Sequence, residues 1–447
     1  MALVGHLAWI MIFDLLVRGG TVVTPYGTAV ATIGVRNGTI AAIEDLTAAQ
    51  ADVVIEARGL HVLPGIIDSH VHFREPGLTH KEDLETGTRS AILGGVTAIC
   101  EMPNTKPLTL SAHDLGDKLG SAQGRVWCDY AFFIGGSAAN VARLGELERL
   151  PGCAGIKVFM GSSTGDLLVP DDDTLGAILK NGARRVAVHA EDEARLMSRR
   201  ASVVAGTHVR EHPNVRDVET ACTATVRLLK LAKANNRRVH VLHVTTLEEL
   251  ELLADRRDLA TVEVTPQHLT LTAPECYEQL GTFAQMNPPI RDARHRDALW
   301  RAVGSGLVDV LGSDHAPHTV DEKSRPYPDS PSGMPGVQTL VPIMLDHVAA
   351  GRLSLERFVD LACAGPARAL GIMSKGRIAR GYDADFTLVD TKATRVIEAK
   401  SIASRSGWTP YDGKHVQGWP VTTVVRGQVV MRDGAVVGTP VGQPMRF

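Results

Sequence analysis

Residues Gly65 to Gly77 read GIIDSHVHFREPG, and the fold follows from how this run changes character along its length. It opens as a short apolar strand and closes on two histidines, His70 and His72. They are two residues apart, so on an extended chain both imidazoles point to the same side. Working outward, short apolar runs of this kind recur. Eight are found, ending near His72, Met102, Ile134, Met160, His189, Val244, Thr265 and Ser313. Between them lie stretches with apolar residues on one helical face, such as Lys81 to Leu93, Asp173 to Lys180, Asp217 to Ala234 and Asp292 to Val303. Eight strand-helix units predict an α/β fold, a (β/α)8 TIM barrel over residues 63–370, whose working face lies at the strand C-termini.

Outside the barrel the texture changes. From Phe13 to Ala57, β-rich runs such as FDLLVRGG and ATIGV are cut by turn signals, including the hairpin dipeptide Asn37-Gly38. The same pattern returns after Lys375, in GRIARGYDADFTLVD and VTTVVRGQVVMRDGAVV. Residues 1–62 and 371–447 are therefore expected to pair into one smaller, β-sandwich-like domain built from both chain termini.

With 447 residues, 44% of them apolar and 22% charged, the chain has ample material for such a core. Its 47 basic and 50 acidic residues are interspersed without long blocks, so neither nucleic acid nor an anionic membrane is an expected partner. A small molecule is. The six cysteines lie far apart with no CxxC pair, which excludes a disulfide framework and a cysteine-type zinc site and points to the cytoplasm. The apolar stretch Leu7 to Phe13 is too short for a membrane span, lacks the basic start of a signal peptide and runs into Asp14; Met11 is an alternative start.

The chemistry gathers at the strand ends. A lone His-x-His pair is common by chance, but His189 ends the strand RVAVHAE and His243 ends RVHVLHVTT. Four histidines from three strands suit zinc or a similar borderline cation. Asp314, in DVLGSDHAPH, supplies an acidic group just past another strand. Lys157, in GIKVFM, is flanked by apolar neighbours, where a charged amine is costly. A desolvated lysine is neutral enough to react with CO2, and the resulting carbamate has two oxygens able to bridge two cations. His113, His208, His212, His295 and His415 fall in apparent helices or loops and are expected at the solvated surface. His318, four residues after Asp314, is in reach of a substrate oxygen.

Taken in order, HVHFREPG, EMPNTKP, GIKVFMGSS, VHAEDE, HVLHVTT, NPPIR and SDHAPH resemble the amidohydrolase superfamily, and within it the dihydroorotases most. The resemblance runs along nearly the whole chain and includes WTPYDGKHVQGWPVTTVVRGQVV, which is shared more broadly with allantoinases and dihydropyrimidinases. It implies two divalent cations, zinc being expected, with His70, His72, carbamylated Lys157 and Asp314 on the more buried one and Lys157, His189 and His243 on the other. It also implies that Arg74 and Asn104 receive a substrate carboxylate, with His318 as a further ligand, and that Asn287 and the Gly333 to Gly336 stretch close over the ring. Asp314 is the expected catalytic proton carrier. The implied reaction is the reversible cyclisation of N-carbamoyl-L-aspartate to L-dihydroorotate in de novo pyrimidine biosynthesis. An allantoinase or a hydantoinase shares the metals and differs in handling a neutral ring, and a non-catalytic scaffold of the same fold is the alternative of another class. A homo-oligomer is implied, while association with an aspartate transcarbamoylase stays open. Gln267 and Gln338 depart from the histidine and glutamate frequent in relatives and bear on loop packing.

Overall fold

In the computed structural model, which describes residues 12–46, 49–163 and 167–447, the eight strands form one parallel sheet rolled into a nearly closed barrel. Leu7 to Met11, including the alternative start, lie outside the described residues. The barrel strands are β1 (Ile66–Val71), β2 (Val96–Glu101), β3 (Asp129–Gly135), β4 (Cys153–Phe159), β5 (Val186–His189), β6 (Val239–Val241), β7 (Ala260–Val264) and β8 (Val310–Leu311). Each pairs with the next in sequence, and every pair is parallel. Closure is made just beyond β8, where the backbone N–H of His72 donates to His315 O at 2.7 Å. Ser313 N adds a bond to the Asp68 carboxylate at 3.0 Å.

The strands are legible as continuous apolar runs because helices cover one face and the barrel interior covers the other. Every residue of VTAICE, DYAFFIG and CAGIKVF is buried. The helices begin at side-chain caps. Asp83 accepts from Thr86 N in a capping box, so the first barrel helix is Leu84–Leu93 and starts three residues after the expected Lys81. Asp217, read as the first residue of another helix, is instead the cap of Val218–Ala234. The helical faces pack on the strands: Leu228 and Leu299 share one buried cluster with Val188 and Val262.

Both termini build a second, mixed sheet of nine strands. The join is His61–Pro64, which runs parallel to Ile12–Thr24 and antiparallel to Phe386–Val396. Asn37 and Gly38, with φ of 51° and 71°, turn Gly27–Arg36 into Thr39–Glu44, the left-handed pair a tight hairpin requires. Leu15, Val17, Ile33, Phe386, Leu388 and Val424 form this sheet's own core. No helix among the described residues is long and apolar enough to cross a membrane.

Candidate functional site

The strand C-termini bring all six expected ligands to one end of the barrel. His70 lies within β1 and His72 one residue beyond it; Lys157 lies within β4, His189 ends β5, His243 follows β6 by two residues and Asp314 follows β8 by three. In register, Lys157 faces Ala187 and Phe159 faces His189 across the β4–β5 pair. All six are buried. His243 and Asp314 have positive φ, 37° and 44°, and so does Arg74 at 63°. These are three of the eight non-glycine residues with left-handed backbone among the described residues, and such strain collects where side-chain aim matters more than backbone comfort.

The hydrogen bonds assign the imidazole protons. His70 Nδ1 donates to Glu263 Oε1 at 2.8 Å, and His72 Nδ1 donates to Asn104 Oδ1 at 2.8 Å. Each ring is left with an Nε2 lone pair, and these lie 3.3 and 3.2 Å from Asp314 Oδ1. Three acceptor atoms thus converge with no hydrogen between them. Across the site His189 donates from Nε2 to Glu191 Oε2 at 2.8 Å, and its Nδ1 lies 3.0 Å from His243 Nε2.

Burial sets the charges. It holds the His72 imidazole down at about 3 and pushes His189 and His243 down as well, so these rings stay neutral, as ligands must be. Burial raises the Asp314 carboxyl, but the positive charge that His70, His72 and Lys157 carry when protonated outweighs it and keeps the group below the usual carboxylate range, and a cation among the neutral rings would act in the same direction. Lys157 is lowered by burial to about 7, with Asp314 and Glu263 opposing. Its Nζ sits 4.3 Å from the Phe159 ring centroid and has no hydrogen-bond partner among the described residues; the same holds for His243 Nδ1.

These observations fit a cation centre. Convergent lone pairs repel unless a cation lies among them. Donor atoms 3.0 to 3.3 Å apart match the edges of a coordination shell with metal–ligand bonds of about 2.0–2.1 Å, for which a tetrahedral edge is about 3.4 Å. The orphaned, partly deprotonated Lys157 Nζ is the position a carbamate would need.

Comparison with known proteins agrees. A model described as "Amidohydrolase family" matches residues 61–430. The chain belongs to the amidohydrolase family. This amidohydrolase is 35% identical over 425 residues to a dihydroorotase of Methanosarcina acetivorans, covering 92% of this chain and 90% of that one. It is 36% identical over 450 residues to an allantoinase of Rubrobacter xylanophilus, covering 97% and 98%. Among solved structures, an L-hydantoinase (dihydropyrimidinase) from Arthrobacter aurescens superposes with a TM-score of 0.92 at 31% identity, covering 97% of this chain and 100% of that one.

At the amidohydrolase's centre, Arg74, Asn104 and Asn287 line a cavity of about 20 Å3 with the four histidines, Asp314, Ser332 and Gly333, while Lys157 lies beneath its lining. Ser163, Asn287 and Ser332 also line an adjoining chamber of about 540 Å3. Arg74 is 2% exposed, its Nε donates to Pro317 O at 3.2 Å, and burial lowers it to about 10. His318 does not line the cavity. It is buried behind Arg74, with Nε2 3.3 Å from Arg74 Nη2 and 3.0 Å from Ser332 O, and Nδ1 3.0 Å from Lys81 Nζ. An ammonium can only donate, so His318 accepts at Nδ1 and donates from Nε2 to Ser332.

Two carboxylates in the amidohydrolase's site escaped the sequence reading. Glu263, in ATVEV of β7, anchors His70 and faces His240 Nε2 at 3.4 Å. Glu191, two residues after His189, is itself gripped by Arg216 Nε at 3.0 and 3.1 Å. An acid inside an apolar strand was the available signal for Glu263, the same one that singled out Lys157. Two surface expectations fail: His212 and His295 are buried. His212 Nε2 is 3.0 Å from Asn287 Oδ1 and from Met286 O, so it orients a cavity residue. Gln267 and Gln338 do act in loop packing, through Ser313 O at 2.7 Å and Ser401 O at 2.8 Å.

Proposed function

We propose that this chain is a dihydroorotase, interconverting N-carbamoyl-L-aspartate and L-dihydroorotate by closing and opening a cyclic amide. One observation carries the substrate choice: Arg74 is a buried guanidinium lining the cavity, with no carboxylate at ion-pairing distance among the described residues. A buried cation with no carboxylate in direct contact is costly, and the more distant Asp314, Glu101, Glu322 and Glu82 offset that cost only in part. A bound carboxylate relieves that cost, and dihydroorotate carries one where hydantoin and allantoin rings do not. The planar fork of Arg74 suits a bidentate carboxylate. Asn104 stands beside it, and His318 lies behind it, donating to Ser332 O rather than bonding Arg74. Asn287, oriented by His212, lies across the cavity toward the ring.

His70, His72, Lys157 and Asp314 are the residues for one divalent cation, and Lys157, His189 and His243 those for the other, with zinc the expected ion and a CO2-derived carbamate on Lys157. When bound, such a pair supplies a water acidic enough to attack at neutral pH and polarises the ring carbonyl. The protein's own part is proton traffic and aim. The ionised Asp314 carboxylate takes the proton of the attacking water and delivers it to the ring nitrogen as the C–N bond breaks; cyclisation reverses the transfer. Glu263, Asn104 and Glu191 keep three imidazoles in the tautomers this requires.

The adjoining chamber of about 540 Å3 favours a second reading, a ring with a larger substituent, as in an allantoinase or hydantoinase. Side-by-side steady-state turnover of dihydroorotate, allantoin and dihydrouracil by the zinc-loaded protein tests both. Preferred opening of dihydroorotate is expected. Preference for either neutral ring overturns the substrate choice and leaves the amidohydrolase chemistry standing.

A further inference from the structure

Lys323 is fully buried at 0% exposure, yet it touches none of the proposed metal ligands. Its Nζ donates to Gln285 O at 3.0 Å and to Pro331 O at 2.9 Å. No carboxylate pairs with it among the described residues; its other neighbour is the Trp408 ring, with the centroid 5.8 Å away. Burial alone brings its amine down to about 7. A lysine placed this way is expensive unless its hydrogen bonds hold something in place.

What it holds is one wall of the substrate cavity. Three successive carbonyls on that wall are each taken by a different buried side chain: Ser330 O by Gln285 Nε2 at 3.0 Å, Pro331 O by Lys323, and Ser332 O by His318 Nε2 at 3.0 Å. Lys323 is the member that bonds carbonyls of two segments at once, and the Gln285 O it holds also accepts the Gly333 N–H at 2.9 Å. Its own carbonyl is bound by Thr282 Oγ1 at 2.5 Å and Ser330 Oγ at 3.3 Å, so both ends of the residue are tied to the same two segments. Beyond the pinned carbonyls, Met334 O accepts from Ala316 N at 3.0 Å, and a Cβ at Gly333, where φ is +134°, would meet Ala316 O at 2.5 Å. The wall is therefore fitted against the loop that carries Asp314, and Ser332 and Gly333 present it to the cavity.

We propose that Lys323 is a positioning residue for the cyclic substrate: by joining the Gln285 and Pro331 carbonyls it fixes Ser332 and Gly333 as the surface against which the ring lies. This rests on the reading that a cyclic amide is bound in this cavity. A methionine has the volume of the lysine stem and no donor. In Lys323→Met, KM for the ring substrate is expected to rise about tenfold, with kcat within about threefold of wild type and the metal content unchanged. Amide exchange at Ser332, Gly333 and Met334 is expected to quicken by at least about tenfold while the barrel strands keep their protection. An unchanged KM with unchanged exchange at these amides overturns the proposal, and so does a general loss of protection and metal, which marks a merely structural lysine. If the methionine variant does not fold, Lys323→Gln, with an NH2 donor on a shorter stem, carries the same comparison with a smaller rise in KM. The KM arm uses whichever cyclic amide the wild type opens, so failure of dihydroorotate as substrate is read separately. If no ring is opened, the exchange arm decides.

Discussion

Glu263 Oε1 stands 2.8 Å from His70 Nδ1, and both side chains are sealed from solvent, at 0% and 1% exposure. Burial alone would raise this carboxyl, but His70 and His240 hold it well below the usual range, so it stays an anion. An anion here fixes the proton on Nδ1 and makes Nε2 a better donor toward a cation. Glu263→Gln keeps the shape and removes the charge. Divalent-metal affinity is expected to fall by about ten- to a hundredfold, read by competition with a chelator. Wild-type affinity in a folded variant would separate Glu263 from the metal centre.

Lys157 makes a sharper case, because its role depends on a modification. Intact mass measured under native conditions is expected to exceed the sequence mass by one CO2, and the excess to vanish on acidification. Lys157→Ala is expected to lose most bound metal and nearly all turnover, with partial recovery on adding a short-chain carboxylic acid that stands in for the carbamate. Full metal content and activity in the variant would remove Lys157 from the centre altogether.

How much of this could be read beforehand varies with the physics of each residue. The barrel was legible because a strand buried on both faces shows as an unbroken apolar run, and β2, β3 and β4 are such runs. The ligands were legible because polar residues at the ends of those runs stand out, Lys157 among them. Residues that act through other residues were not. Glu191 sits in a motif already marked for His189, and nothing in one dimension tells that Arg216, 25 positions on, closes around it. His212 looked like a surface histidine because its helix has only four residues, too few to display a buried face. The spacing of His318 from Asp314 along the chain points it toward the substrate, whereas its tautomer depends on Lys81, from the loop after the neighbouring strand β1, 237 positions away in sequence.

Arg74 carries the choice between an anionic and a neutral ring, so its removal is informative. Arg74→Met is expected to raise KM for dihydroorotate by about one to two orders of magnitude, the worth of a charge-assisted hydrogen bond of about 1.5–3 kcal/mol. Metal content should not change, because Arg74 contacts none of the proposed ligands. Turnover of a neutral ring, where any exists, should be affected far less. Equal losses on charged and neutral substrates would mean that Arg74 shapes the cavity rather than binding a carboxylate.

His212 and His318 tie cavity residues in place while neutral, and burial lowers each from the ordinary 6.5 to about 3. Folding thus favours the unprotonated ring. Below pH 6.5 the unfolded chain takes up these protons first, so the stability they provide is complete above 6.5 and is lost progressively as pH falls toward 3. Each contributes up to about 1.4 kcal/mol of loss per pH unit in that window. Between pH 6.5 and 5 ordinary carboxylates hardly titrate, and Asp68, which burial raises to about 6, acts alike in wild type and in a His212 variant, so the difference between the two isolates the histidine. Urea unfolding of the wild type is therefore expected to give a lower midpoint at pH 5 than at pH 7. His212→Gln should flatten that dependence by up to about one proton's worth, about 1.4 kcal/mol per unit. Parallel pH dependences for variant and wild type would mean that His212 is already protonated in the folded protein, and that Asn287 is oriented by an imidazolium instead.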